Sequence, residues 1–311
     1  VHIQRCLVDK YKWKPKHFTP NGQAKIDETI LAGLPYPEAK RLAKFFLIQK
    51  RIGMLAEGAG AWLKKVSADG RLRHRLNSNN CVSGRATATS PNLQQVPSSG
   101  SPYGKECREL FTAPRGWYVC GSDLSGIELR LLASYLHPYD GGEYSKQILE
   151  GDIHTYNQHA AGLATRNLAK TWVYATLYGG GDRLIGAIAG GGAKKGKELK
   201  DNYDKAVPAF ATLKKNLKTA ASRGHIKALD GRKLRVRSAH RCLSQLLQSA
   251  GAIVAKQWVM LTYDKIKEKY GDKVFIMGWI HDEIQIACIS REIADDVGHI
   301  AGRMAQEAGV A

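Results

Sequence analysis

Apolar positions recur at helical spacing in some stretches of the chain and at strand spacing in others. Residues 1–57 read as helical and basic, and within them 38–56 carries Ala39, Leu42, Phe45, Phe46, Ile48 and Ile52 at helical intervals. Residues 72–98 show little periodicity, and their Ser, Asn, Gly and Pro content predicts an ordered loop or a set of short strands. The apolar run 117–120 predicts a buried strand, and Ile127, Leu131 and Leu132 predict a helix after it, so Asp123 falls at a strand exit. Residues 143–220 read mostly as helices, broken by glycines at 179–181 and 190–192, and Asp230-Gly231 marks the turn of a short hairpin within 226–237. Residues 243–269 predict a long helix through Leu246, Leu247, Ala250, Val254, Trp258 and Leu261. The runs 274–280 and 284–289 flank His281, Asp282 and Glu283, which reads as a hairpin with the acids at its tip. A final helix is expected from about Arg291, and no internal repeat is visible.

Two carboxylates on rigid strand ends, Asp123 and Asp282, suit a two-metal phosphoryl-transfer site, in which ions roughly 3.5–4 Å apart clamp the attacking and leaving oxygens. A third stretch lies between them. Thr165 is a suitable helix N-cap, and Arg166, Lys170 and Tyr174 follow at i, i+4 and i+8, on one helix face. Tyr178 continues the series before glycines end the helix. Two cations and a ring in a stripe suit a nucleoside triphosphate, the cations meeting the phosphates as charged donors. Taken alone, the stripe reads as a solvated basic face over an aromatic core contact; beside two acidic segments the triphosphate reading prevails.

Composition narrows the partner. The 311 residues allow one large domain or two to three small ones, and 43% apolar content excludes a disordered chain. Lys and Arg number 47 against 28 Asp and Glu, a net +19 that makes nucleic acid the first candidate partner, with a merely basic surface as the plainer explanation. The six cysteines are scattered without a CxxC pair, as in a reducing compartment without structural zinc. No apolar run approaches a membrane span and no secretory signal is present, so no membrane partner is expected. The chain starts with Val inside a continuing pattern, which reads as a fragment. Two lookalike motifs fail on their chemistry. GGAKKGK at 191–197 resembles the start of a P-loop, but Glu198 stands where a hydroxyl is required and no strand precedes it; it reads as a basic finger loop. His154 and His159 are spaced i, i+5, which is poor for one zinc on one helix face.

The segments DLSGIELR, RNLAKTWVYATLYG and HDE, in this order, resemble motifs A, B and C of family A DNA polymerases, the DNA polymerase I class, and most closely the replicative enzymes of short-tailed phages. QKRIG at 49–53, SGRATATSPNLQQVP at 83–97, EYSKQILEGDIHT at 143–155, LDGRKLRVRS at 229–238 and LLQSAGA at 246–252 extend the resemblance along most of the chain.

That resemblance implies an α+β, right-hand polymerase fold: an antiparallel palm sheet, helical fingers and only the base of a thumb. The implied division is a thumb base at 1–57, palm at 58–135 with motif A, fingers at 136–240 with the motif B helix at 165–179, and palm again at 241–311 with the motif C hairpin at 274–289. The implied activity is template-directed addition of dNTPs to a primer 3′-hydroxyl, in phage-type DNA replication. Asp123 and Asp282, with the Leu124 backbone carbonyl, would hold two Mg2+ ions, for which Mn2+ could substitute, and Glu283 would support them. Arg166 and Lys170 would hold the triphosphate, and Lys170 could protonate the leaving group. Glu128 would exclude a ribose 2′-hydroxyl, Tyr174 would favour dideoxynucleotides, and Tyr178 would stack near the templating position. His154 would sit by the triphosphate, although a lone His is more often a satisfied structural residue. Arg85, Gln248 and His281 would reach the minor groove near the primer end, where acceptors of all correct pairs are similarly placed. The implied partners are primer-template DNA and dNTPs, with a host processivity factor reached through a thumb region absent from this chain. The implied location is the bacterial host cytoplasm. Asn167 and Ala88 depart from the Asp and His frequent in relatives, which touches fine contacts and not the reaction. A single-subunit RNA polymerase and a catalytically weak nucleic-acid-binding fragment stay open as alternatives, the first opposed by Glu128 and Glu283.

Overall fold

The structure is a computed structural model and describes residues 2–309. The chain divides into two compact units: one joins Val1–Arg75 to Ala88–Arg108, the other joins Leu76–Thr87 to Glu109–Ala311. Among the described residues no helix is long and apolar enough to cross a membrane.

In the first unit the helices His2–Tyr11, Glu28–Ala32 and Pro37–Ile52 enclose a small core of Leu7, Leu31, Ala39 and Ala43. Pro37 opens the longest of them at N1, where its missing N–H is harmless. The expectation of helix throughout 1–57 fails between these elements. Residues 12–27 are irregular apart from an isolated Phe18–Ala24 bridge, because Pro15, Pro20 and Gly22 interrupt any helical run.

The second unit is built on a three-stranded antiparallel sheet in the order Tyr118–Asp123, Glu283–Cys288, Val274–Ile280. Ile284, Ile286, Ala287 and Cys288 make the central strand buried. Tyr118–Asp123 corrects the expected buried strand. It is an edge strand, with Tyr118 and Val119 47% and 46% exposed. Its apolar run signalled β-propensity, and burial was decided by position in the sheet. The helices Cys242–Tyr270 and Arg291–Glu307 pack on this sheet, tied together where the buried Trp258 Nε1 donates to the Ala301 carbonyl at 2.8 Å. The helix Ile127–Asp140 packs on Cys242–Tyr270, where a Cβ added at Gly251 would stand 3.6 Å from Leu131 and 3.9 Å from Ile127.

Six helices run through the next part of this unit: Glu143–Leu149, Ile153–Ala161, Arg166–Leu177, Asp182–Ile188, Ala193–Ala206 and Pro208–Ala221. Thr165 caps the third as expected, its Oγ1 accepting from the Leu168 amide at 3.3 Å. That helix ends at Leu177, leaving Tyr178 as its C-cap before Gly179 at φ +79°. Residues 193–197 lie in the first turns of Ala193–Ala206, so the lysines expected in a loop are helical, with Lys197 paired to Asp201 at 2.6 Å. The expected hairpin is present as His225–Lys227 paired with Lys233–Arg235.

A polar triangle is sealed among these helices. Asn157 Oδ1 accepts from the hydroxyls of Tyr144 at 3.2 Å and Tyr203 at 2.8 Å, all three residues being buried. The Tyr203 hydroxyl also donates to that of Tyr144 at 3.2 Å, so removing the shared acceptor leaves one buried hydroxyl proton without an acceptor and opens a small void. Asn157→Ala is expected to cost roughly 2–4 kcal/mol of stability, read from urea denaturation; a loss under roughly 1 kcal/mol would show that the triangle does not hold these helices.

Candidate functional site

Asp123 closes its strand, and Asp282 lies in the two-residue tip between Ile280 and Glu283, which pair across the hairpin. His281 takes φ +57°, the left-handed backbone that such a tight turn requires. The ladder then fixes the neighbourhood of the acids. Asp123 stands opposite Glu283, and the Leu124 amide donates to the Asp282 carbonyl at 2.9 Å. Two segments about 160 residues apart thus present their carboxylates side by side. The Leu124 carbonyl accepts from the Ile127 amide at 3.3 Å and keeps a second lone pair.

Packing and like charge both act on these acids. Burial pushes the Asp123 carboxyl above its usual range, reinforced by Asp282, Glu283 and Glu128. Burial likewise raises Asp282 against the pull of a hydrogen bond from its own backbone amide, with Glu128 adding to the effect and Arg85 and His281 opposing it. Such a concentration of negative charge calls for a cation. Among the described residues no group of three or more His, Cys, Asp or Glu side chains is arranged to hold a metal by itself. Two carboxylates and a backbone carbonyl match the sparse all-oxygen set with which proteins hold Mg2+, the rest of its shell coming from water and phosphate.

Glu128, in the first turn of Ile127–Asp140, is held from two sides. Its Oε1 accepts from Arg85 Nη2 at 3.0 Å and from the Tyr178 hydroxyl at 2.7 Å. Burial and this carboxylate push the Tyr178 phenol up to about 12, so it remains a donor. Sequence reading had assigned Arg85, Glu128 and Tyr178 to three separate tasks, and the structure joins them. The loop bearing Arg85 is itself anchored: Lys256 Nζ donates to the Ser78 carbonyl at 2.7 Å, and Gly84 takes φ +77°, with Arg232 so close that a side chain there would meet it at 2.9 Å. Arg85, Ile127, Gly251, Ala252, Trp279, His281 and Asp282 line a narrow cleft. A roomier cavity of about 530 Å³, lined by Leu131, Tyr135, Ile148 and Val254 among others, contains none of the sequence-predicted site residues.

Glu283 has a partner that sequence reading missed. The Gln285 amide donates to Glu283 Oε1, and Gln285 lies across Gly121 of the edge strand, where a Cβ would stand 3.1 Å from its Nε2. The i, i+2 spacing in a strand puts Glu283 and Gln285 on one face and could have signalled the pair.

Along the Arg166–Leu177 helix the stripe connects two environments. At one end, Arg166 Nε and Nη2 donate to Asp152 at 2.5 and 3.2 Å. Burial depresses the His154 imidazole, and the positive charges of Arg166 and Lys170 depress it further. At the other end, burial raises the Tyr174 phenol, with Glu128 and then Asp282 adding to it. His281 is likewise depressed, by burial and then by Arg85, and its carbonyl accepts from Trp279 Nε1 at 2.8 Å. Gln248 faces a different partner, its amide donating to Ser244 Oγ at 3.3 Å within the same helix. The second unit therefore carries a basic end at Arg166 and Lys170, whose charges reach His154, and an acidic end at Asp123 and Asp282, with Tyr174 under the influence of Glu128 and Asp282.

Comparison with known proteins identifies the family and the fold. The family model for DNA polymerase family A matches residues 1–311. The chain is 42% identical to the DNA-directed DNA polymerase of Enterobacteria phage T3 over 96% of its length, and 41% identical to that of Escherichia phage T7 over 95%. In both cases it spans 47% of the relative, about half its length. A solved structure of the POL domain of Pol1 from M. smegmatis, in complex with DNA primer-template and dNTP, is similar at a TM-score of 0.80, with 19% identity, covering 98% of this chain and 57% of that one. The fold is thus the α+β polymerase fold expected from the sequence.

Proposed function

Because the chain belongs to DNA polymerase family A, we propose that its second unit carries the active site of a template-directed DNA polymerase. The observation that carries this reading is the pairing of Asp123 with Glu283 and of Leu124 with Asp282, which assembles the acids in the unit that also holds the helix bearing Arg166, Lys170 and Tyr174.

In this proposal the palm takes in 58–135 and 241–311, the fingers 136–240 and the thumb base 1–57. Asp123, Asp282 and the Leu124 carbonyl would hold two Mg2+ ions, with Glu283 supporting them. When bound, Mg2+ lowers the pKa of a hydroxyl and neutralises charge on phosphate oxygens. Arg166 and Lys170 orient the triphosphate, with His154 beside them. The primer 3′-oxygen forms its bond to the α-phosphorus as the bond to the β-phosphate bridging oxygen breaks. The hydroxyl proton passes to solvent water, and Lys170 supplies a proton to the pyrophosphate. Glu128, fixed by Arg85 and Tyr178, closes the sugar pocket against a 2′-hydroxyl. Arg85, Gln248 and His281 offer donors to the minor groove, and the net +19 charge suits a polyanionic duplex.

Filter binding of primer-template beside primer extension, each with and without Mg2+, tests the proposal. Binding in both conditions with extension only in Mg2+ is expected; binding without extension in Mg2+ identifies a nucleic-acid-binding module instead. Tyr174 supplies a sharper check. Its hydroxyl is the only group that Tyr174→Phe removes, so the variant is expected to discriminate against dideoxynucleotides at least about tenfold more strongly, about 1.4 kcal/mol at the transition state. Equal chain termination by wild type and variant would remove Tyr174 from the sugar pocket.

A further inference from the structure

We infer that Asp152 is a positioning residue for the triphosphate, acting through Arg166. This rests on the reading of Arg166 as a phosphate-binding cation.

The carboxylate of Asp152 is fixed before it meets Arg166. It caps the helix Ile153–Ala161, with Oδ1 accepting from the amides of His154 at 3.0 Å and Thr155 at 3.4 Å, and Oδ2 from Thr155 Oγ1 at 3.0 Å. It then receives Arg166 side-on, through Nε to Oδ2 and Nη2 to Oδ1. Backbone amides thus decide where the carboxylate sits, and the carboxylate decides where the guanidinium sits. The pair joins the N-terminal ends of two packed helices, 14 residues apart in sequence.

The side-on geometry matters for function. A guanidinium has five N–H donors, and this arrangement engages two of them on the Nε/Nη2 edge. The three others, at Nη1 and the outer position of Nη2, remain for an anion. Arg166 is half exposed, so without Asp152 its long side chain samples many rotamers that phosphate binding must freeze. Asp152 spends its negative charge to remove that entropy in advance. Its own repulsion of phosphate is blunted because its lone pairs already face five donors. The same carboxylate also binds the backbone amide of His154, the residue after the first helical position.

Asp152→Asn separates this role from capping, since Asn is as good an N-cap but a weaker partner for guanidinium. Two quantities are measured on the 311-residue chain: KM for a matched dNTP in primer extension, and binding of tripolyphosphate without metal by calorimetry. Asp152→Asn is expected to raise KM about 3- to 10-fold, with kcat within about twofold, and to weaken tripolyphosphate by a similar factor. In an Arg166→Ala background the same substitution is expected to change tripolyphosphate binding by less than about twofold. Unchanged or tighter tripolyphosphate binding in Asp152→Asn overturns the inference, as does an equal effect of Asp152→Asn when Arg166 is already absent. If the unaltered chain extends no primer while its tripolyphosphate binding still depends on Asp152 through Arg166, the polymerase reading fails and this one stands.

Discussion

Asp282→Asn and Asp123→Asn are each expected to reduce nucleotide incorporation by at least about a thousandfold, some 4 kcal/mol of transition-state stabilisation, while leaving the fold at least as stable. The two readouts move in opposite directions because the acids are gathered for chemistry at the expense of burial first and like-charge repulsion second. The sign follows from the raised carboxyl of Asp282. An acid whose folded pKa exceeds its unfolded value of about 3.9 destabilises the fold when ionised. Stability therefore rises as pH falls through the folded pKa, where the native state takes up its proton first, and the effect is complete below about 3.9. In EDTA at pH 7, Asp282→Asn is expected to melt about 1–3 °C above wild type, a modest figure because the site is partly solvated. The difference should shrink as the pH is lowered toward 4. Adding Mg2+ reverses the order, since a ligand that binds only the native state stabilises it by mass action and the variant has lost a ligand. A variant that melts below wild type in EDTA would mean that Asp282 is held by favourable contacts and not poised for a cation.

Glu128→Ala carries the second large effect, because one carboxylate holds two residues. Its Oε1 anchors both Arg85 and Tyr178. Truncation leaves Arg85, a largely shielded cation, without its charged partner, at a cost of about 1–3 kcal/mol. It also removes bulk from the floor of the expected sugar pocket. Discrimination against ribonucleotides is expected to fall about 10- to 200-fold, the range available to a steric contact of this size. Glu128→Gln separates the two consequences. It preserves volume and an acceptor oxygen, so it should keep sugar discrimination while weakening the hold on Arg85. Measured as the ratio of kcat/KM for a matched dNTP and rNTP, an unchanged ratio in Glu128→Ala would take Glu128 out of the sugar pocket.

Periodicity revealed the elements that position the site more clearly than the contacts inside it. The acidic hairpin, the capped helix with Arg166, Lys170 and Tyr174 on one face, and the long helix over the sheet were all legible, because each is a local pattern sustained over many residues. Burial of Tyr118–Asp123 was misread because the order of strands is a tertiary property that no local run encodes. Asp152 shows the same limit. Asp with Thr three residues on is a cap signal, but its pairing with Arg166 arises only when two helices meet. Arg85, Glu128 and Tyr178, drawn from a loop, a helix start and a helix cap, could be named one by one from a family resemblance, yet their convergence on one oxygen was visible only in three dimensions.

The most direct test offers the 311-residue chain a primer-template with a single templating base, in Mg2+, and measures incorporation of the matched dNTP, a mismatched dNTP and the matched rNTP. Incorporation of the matched dNTP well above the other two is predicted; preference for the rNTP, or incorporation indifferent to the templating base, would contradict the account.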